Sequence, residues 1–268
     1  MEQMALWLEY AGIGGLVGVL AGLLGIGGGG IMVPVLASLF ENQGIGREIV
    51  VHLAVGTSMA TILFTSMSSV RAHHLRGAVH WKALARITPG ILVGGLAGSL
   101  GAGSVSGRGL ALLFALVVCG VGVSMLLDRR PRPTRALPGP LGMFSAGAVI
   151  SGVSSLMAIG GAAMTVPFMI FCNIPPIQAV GTASAIGFPI ALSGTIGYVA
   201  SGLGIGGLPG GSLGYVYLPA LVGISVASVI TAPLGARLAH RLPTKRLRQV
   251  FAVVLFLLAA RMAWKFWG

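Results

Sequence analysis

The chain has 268 residues, of which 55% are hydrophobic and only 8% charged, whereas a soluble domain carries about 25% charged residues. That excludes a water-soluble domain and indicates an integral, polytopic, all-α membrane protein, as does the mean hydropathy of +0.95. The net charge of +12 arises from only five acidic residues; the basic ones gather in short loops between apolar runs, as cytoplasmic loops do, so nucleic acid is not the expected partner.

Apolar runs occupy residues 5–24, 31–40, 49–70, 87–104, 109–127, 141–157, 164–172, 178–200, 213–236 and 247–264. A full crossing takes about 20 residues, so 31–40 and 164–172 are too short to cross unaided. Each follows a glycine interruption. The first lies in GLLGIGGGGIMVP (Gly22 to Pro34), where Gly27, Gly28, Gly29 and Gly30 are consecutive. An interior glycine weakens a helix by about 1 kcal/mol relative to alanine, so four together are expected to break it. Unsatisfied backbone groups are costly in hydrocarbon, and a break survives only where it is buried in protein or lines a cavity. The pattern returns in SSLMAIGGAAMTVP (Ser154 to Pro167), around Gly160 and Gly161. Each short run is expected to be the second arm of a broken, re-entrant hairpin, with two complete crossings as the alternative.

The loops give an orientation. Arg71, Arg76, Lys82 and Arg86 flank one loop; Arg129, Arg130, Arg132 and Arg135 crowd a second. Arg237, Arg241, Lys245, Arg246 and Arg248 fill a third, whereas Ser201 to Gly214 carries no charge. Placing the basic loops in the cytoplasm puts both termini outside, with Arg261 and Lys265 dissenting. Residues 5–40 then begin and end outside, and 141–172 begin and end inside. Two homologous halves would have to be inverted relative to each other.

Evidence for such halves comes from self-similarity. An offset of 133 places Ile26-Gly27-Gly28 on Ile159-Gly160-Gly161 and Val33-Pro34 on Val166-Pro167. An offset of 125 superposes the AVGT tetrapeptides at Ala54 and Ala179, and one of 137 places Gly98 on Gly235 and Phe114 on Phe251. The expected organisation is a first repeat over 1–127, a basic linker over 128–140 and a second repeat over 141–268, each with a broken hairpin and three transmembrane helices. Cys119 and Cys172 lie in apolar runs without metal-ligand spacing and are expected to be packing residues. The N-terminus has no basic segment or small-residue cleavage site, so no cleaved signal peptide is expected.

Three groups of residues could carry function. A broken helix exposes N–H groups at the start of its second arm, with about half a positive charge from the dipole. Two such ends meeting near the midplane would bind an anion without a basic side chain, and Gly27 to Gly30 with Gly160 and Gly161 are the candidates. The second group is AVGTSMA (Ala54 to Ala60) and AVGTASA (Ala179 to Ala185), which place Thr57, Ser58, Thr182 and Ser184 in apolar helices. These hydroxyls either line a site or bond the preceding helical turn. His52, near the outer start of a span, is the titratable candidate for proton coupling, against an ordinary interfacial histidine. No mid-span histidine or aspartate, phosphate-binding lysine motif, haem ligand pair or CxxC is present, so neither catalysis nor a cofactor nor a metal is expected. A carboxylate-free interior favours a small anion over a cation.

The stretches GLLGIGGGGIMVPVL, AVGTSMATILFTS, IGGAAMTVP, AVGTASAIGFPIALSG and APLGARLAHRLP resemble the TauE/SafE family of sulfite and organosulfonate exporters over nearly the whole chain. The resemblance implies a bacterial inner-membrane transporter of a sulfur-containing anion such as sulfite, thiosulfate or sulfoacetate. It implies substrate-binding roles for Gly27, Gly28, Gly29, Gly30, Pro34, Gly56, Thr57, Ser58, Gly160, Gly161, Pro167, Gly181, Thr182 and Ser184. Alanines follow Gly160-Gly161, so the half-sites are not equivalent, and the wider glycine opening of the first half is expected to take the negative head group. The expected function is a secondary carrier with alternating access and candidate proton coupling through His52. The alternative is a passive anion channel with the same site; the oligomeric state is left open.

Overall fold

The computed structural model describes residues 2–24, 28–126, 136–239 and 244–267. Over these it is helical: α1 (Glu2–Leu24), α2 (Gly29–Asn42), α3 (Arg47–His74), α4 (Trp81–Ala102), α5 (Gly107–Leu126), α6 (Pro140–Met157), α7 (Ala162–Phe171), α8 (Pro176–Gly202), α9 (Leu218–Ala239) and α10 (Thr244–Trp267). A two-stranded hairpin, β1 (Ser212–Leu213) and β2 (Val216–Tyr217), precedes α9. Seven helices are long and apolar enough to cross a membrane among the described residues: α1, α3, α4, α5, α6, α8 and α9. The helices α2 and α7 are shorter.

Each glycine interruption is thus followed by a short helix: α1 and α6 have spanning length, and α2 and α7, at 14 and 10 residues, do not. The Gln43 amide, just past α2, donates to the Tyr10 hydroxyl of α1 at 3.2 Å, which brings the end of α2 back to the N-terminal part of α1. Glu41 at that end pairs with Arg47 and with Lys265 of α10. The pairing gives Lys265 an anionic partner at the same end as the start of α3, which accounts for its place against the charge pattern.

Two helices form the centre. Most of the spanning window of α3 (83%) and of α8 (72%) is buried, against 33–39% for the other five. They run antiparallel: a Cβ at Gly194 would lie 3.0 Å from the Met59 sulfur, and one at Gly187 would lie 3.6 Å from Ser66 Cβ. Around this pair, α1 runs parallel to α9 and α6 parallel to α4, each through glycine contacts. Gly14 meets Ile224, Gly18 meets Ser228, and Gly235 meets Val19. On the other side Gly90 meets Phe144, Gly94 meets Ala148, and Gly98 meets Gly152. Lipid tails are as apolar as leucine, so helices in a bilayer associate through close backbone approach at small residues. Outside both pairs, α10 lies against α5.

One boundary differs from expectation. The apolar run starting at 213 becomes helical only at Leu218. Gly211 (φ +85°) and Gly214 (φ +55°) take left-handed backbone, and the Tyr215 N–H donates to the Tyr198 carbonyl at 3.1 Å. Residues 212–217 fold back over α8 before α9 begins.

This packing predicts opposite outcomes for two Gly→Ala substitutions, read by thermal unfolding in detergent. A Cβ at Gly235 would fall against the backbone of Val19 and Leu23, so Gly235→Ala should destabilise by about 1–3 kcal/mol. At Gly12 nothing lies within 4 Å, so Gly12→Ala should be neutral or stabilising by up to about 1 kcal/mol.

Candidate functional site

The helix breaks are built by backbone that side chains resist. Helix α1 stops at Leu24, and Gly28, at φ +72°, caps α2. The first N–H groups bonded at this end are those of Ile31 and Met32, each to the Gly28 carbonyl at 3.1 Å. Helix α6 stops at Met157; Ala158 (φ +50°) and Gly160 (φ +61°) turn the chain, and Gly161 caps α7. Positive φ is readily accessible only to glycine, so Ala158 is held there by its surroundings. The two breaks touch each other. A Cβ at Gly29 would fall on the Ala158 carbonyl, and it would also lie 3.0 Å from Ile62 Cδ1 of α3. Gly28 is packed on Val17, and Gly30 faces Leu255 of α10. Gly27 lies outside the described residues. Pro34 and Pro167 sit inside α2 and α7; lacking an N–H, each leaves the carbonyl four residues earlier, at Gly30 and Ala163, without its helical donor.

A polar cavity of about 10 Å³ opens beside the second break, lined by Thr65, Ser66 and Ser69 of α3, Ser184 and Gly187 of α8, Gly160, Ala21 and Ile62. That is about the space of one water molecule. Gly160 contributes from the second half, and none of Gly28, Gly29 or Gly30 lines it. The opening therefore sits at the half where the wider glycine run is absent, because the first-half glycines are filled by Val17, Ala158 and Leu255. No charged side chain lines the cavity. Thr65 shares a 2.8 Å hydrogen bond with Ser228 and can donate to the Thr61 carbonyl at 3.0 Å. Ser66 donates to Leu63 and Ser184 to Val180. Among the described residues the buried Ser69 hydroxyl has no hydrogen-bond partner, nor does that of Thr165 in the first turn of α7. A hydroxyl can rotate to donate elsewhere, so this lining can present O–H groups to an anion.

Thr61, Thr65, Ser66, Ser69 and Thr165 were not among the candidates from sequence. A signal was present: Thr57, Thr61, Thr65, Ser69 and His73 recur every four residues along α3, which places successive members on adjacent turns of one face. All five are buried.

The AVGT motifs have a different placement. A Cβ at Gly56 would fall on the Tyr215 carbonyl, and the Thr57 hydroxyl accepts the Tyr217 N–H at 3.0 Å. In the other half, a Cβ at Gly181 would fall on the Ala78 carbonyl, and Thr182 accepts the His80 N–H at 2.9 Å. Each motif thus clasps the segment that leads into a helix of the opposite half, α9 or α4. The Gly56 clasp is the more aromatic. Tyr215 stacks on His52 with ring centroids 5.0 Å apart, and Tyr217 meets Phe40 edge-on at 5.6 Å. His52 ties this clasp to the α4–α5 turn: Nδ1 faces the Glu48 carbonyl at 3.2 Å, and Nε2 faces those of Ala102 and Val105 at 3.1 and 3.0 Å. Ser58 is buried on α3 without a hydrogen-bond partner among the described residues.

The family model for the sulfite exporter TauE/SafE matches residues 10–262. A probable membrane transporter protein of Haemophilus influenzae is 35% identical over 251 residues, covering 93% of this chain and 95% of that protein. Probable membrane transporter proteins of Bacillus subtilis (YunE) and Methanocaldococcus jannaschii (MJ0441) are 24% and 27% identical, over 94% and 91% of this chain and 96% and 90% of theirs. No solved structure matches the chain. The family match begins in α1, takes in both breaks and both clasps, and ends in α10; the chain belongs to the sulfite exporter TauE/SafE family, which consists of membrane transporters and not enzymes.

Proposed function

We propose that the protein is a secondary carrier that exports a small sulfur-containing anion, such as sulfite or sulfoacetate, across a bacterial inner membrane. The observation that carries this reading is the meeting of the two breaks beside a charge-free, hydroxyl-lined cavity between the central helices. The N–H groups at the start of α7 are the dipole's positive end, and Ser69, Thr65, Ser66 and Ser184 add rotatable donors. No carboxylate is close enough in the lining to repel an anion. A space of about 10 Å³ does not admit sulfite, so binding requires α3 and α8 to part. That requirement favours a carrier over a permanently open pore.

Alternating access would come from two inverted repeats rocking about the site. Supporting this, α1 along α9 is matched by α6 along α4. The clasps match as well: the motifs are offset by 125 residues, and their partners Ala78 and Tyr215, or His80 and Tyr217, by 137. The Gly56 clasp would close the outer side and the Gly181 clasp the cytoplasmic side, opening in turn. His52 would couple protons to the outer clasp, because it holds Tyr215 and the α4–α5 turn together rather than touching the cavity.

Reconstituted vesicles should take up labelled sulfite or sulfoacetate saturably and with trans-stimulation; flux that never saturates would overturn the carrier. Ser69→Ala should raise KM by about tenfold or more, the value of a hydrogen bond to a charged group, and Gly161→Leu should abolish binding in folded protein. Wild-type affinity in both would remove this site. Thr57→Val leaves the Tyr217 N–H unpaired and Thr182→Val the His80 N–H, so cysteine labelling should rise from the outside in the first and from the cytoplasmic side in the second. A shift in the same direction for both would contradict the gating. His52→Ala should change the pH profile of transport, and an unaltered profile would eliminate His52 as the coupling group.

A further inference from the structure

We propose that the basic end of the molecule holds an anionic phospholipid, with its phosphate on Arg71 and an acyl chain in the groove between α3, α4 and α8. This site is separate from the transport cavity and does not depend on which anion is carried. The groove has a volume of about 620 Å³, within the range of about 300–1,000 Å³ typical of small-ligand sites. Its walls are apolar, with Met67 and Val70 from α3, Leu92 from α4, and Phe188 and Leu192 from α8. It opens sideways from the protein, since Met67 is 56% and Leu92 39% exposed.

Its length and its mouth identify the occupant. On α4 the lining runs from Trp81 to Leu92, about 16 Å at 1.5 Å per residue. That matches one leaflet of a hydrocarbon core about 30 Å thick. Arg71, His74 and Trp81 stand together at the mouth, with Trp81 edge-on to His74 at 5.3 Å. A tryptophan beside a cation is the pattern of the headgroup interface. The groove is thus apolar for the depth of an acyl chain and cationic where a headgroup would sit.

A second groove, of about 520 Å³ between α3 and α9, shares Arg71 and is also lined by Arg76 and Arg237. Among the described residues no acidic side chain lines either groove. Glu2, Glu9, Glu41 and Glu48 all precede the middle of α3, and the fifth acid, Asp128, falls in the linker outside the described residues. Arg71, the cation common to both grooves, therefore meets no carboxylate in their described lining. Guanidinium groups match phosphate oxygens in bidentate geometry, and basic pockets between transmembrane helices take anionic headgroups. A zwitterionic lipid would fill the groove but bring its own ammonium into a basic end lined by Arg71 and Arg237; a free anion would pair with Arg71 and leave the groove unfilled.

The test uses the full-length protein in detergent, reading the thermal unfolding midpoint during titration with phosphatidylglycerol, phosphatidylcholine or sodium sulfate, with native mass spectrometry for retained lipid. Phosphatidylglycerol should raise the midpoint saturably and remain bound, and the other two should not. Arg71→Gln should weaken the apparent affinity by about tenfold or more, through loss of charge-assisted hydrogen bonds. Leu92→Trp, which fills the groove and leaves the charge intact, should weaken it as well. Lys82→Gln, at the same end but in neither groove, should not. An equal shift with phosphatidylcholine would overturn the headgroup assignment, and an equal shift with sulfate would make this a free-anion site. Undiminished phosphatidylglycerol binding in both Arg71→Gln and Leu92→Trp would overturn the location.

Discussion

A hydrocarbon interior offers no water to an interrupted helix, so every backbone group freed by a break must be met by protein or by a sheltered polar space. This chain breaks two helices and meets the constraint by pressing the breaks against one another. Gly29 must lack a Cβ because the Ala158 carbonyl occupies its place. Ala158 adopts left-handed backbone inside that contact, and α3 and α8 close around it. The polar cavity follows from the same arrangement: Gly160 leaves room where Gly29 does not. Helices α2 and α7 both start beside this contact, and the cavity lies next to it at Gly160.

The clasps solve a related problem at the two ends of the central helices. The segments 75–80 and 212–217 carry backbone donors and carbonyls into the bundle, and each meets a glycine for close approach and a threonine oxygen for an N–H. Equivalent chemistry serves both ends, yet the ends differ in strength. One side stacks Tyr215 on His52 and sets Tyr217 against Phe40; the other offers Ala78. Aromatic pairs contribute about 0.5–1.5 kcal/mol beyond the area they bury, so the aromatic clasp is the more strongly held.

Charge is segregated as firmly as polarity. Glu41 lies with Arg47 and Lys265 near the start of α3, while Arg71, Arg76 and Arg237 share a groove near its end. Between them the polar side chains that line the cavity are hydroxyls, with no charged group among the described lining residues. An anion crossing this interior would be held by dipoles, which bind without a full opposing charge and so release it more readily.

The sequence by itself determined the elements: a 20-residue apolar run has no other use in a bilayer than to span it, and a glycine-glycine step followed by proline has to end a helix. The helix interruptions at Gly28 and Gly160 and the four-residue hydroxyl spacing on α3 were legible because composition and periodicity are local properties. Only the tertiary structure decided which hydroxyls are free. Thr57 and Thr182 carry the same signal as Ser69, but their oxygens are taken by Tyr217 and His80, partners 160 and 102 residues away. It also decided that Gly28, Gly29 and Gly30 are packed while Gly160 opens on the cavity. A glycine only permits close approach; whether backbone, side chain or ligand fills the space depends on what another part of the chain brings there.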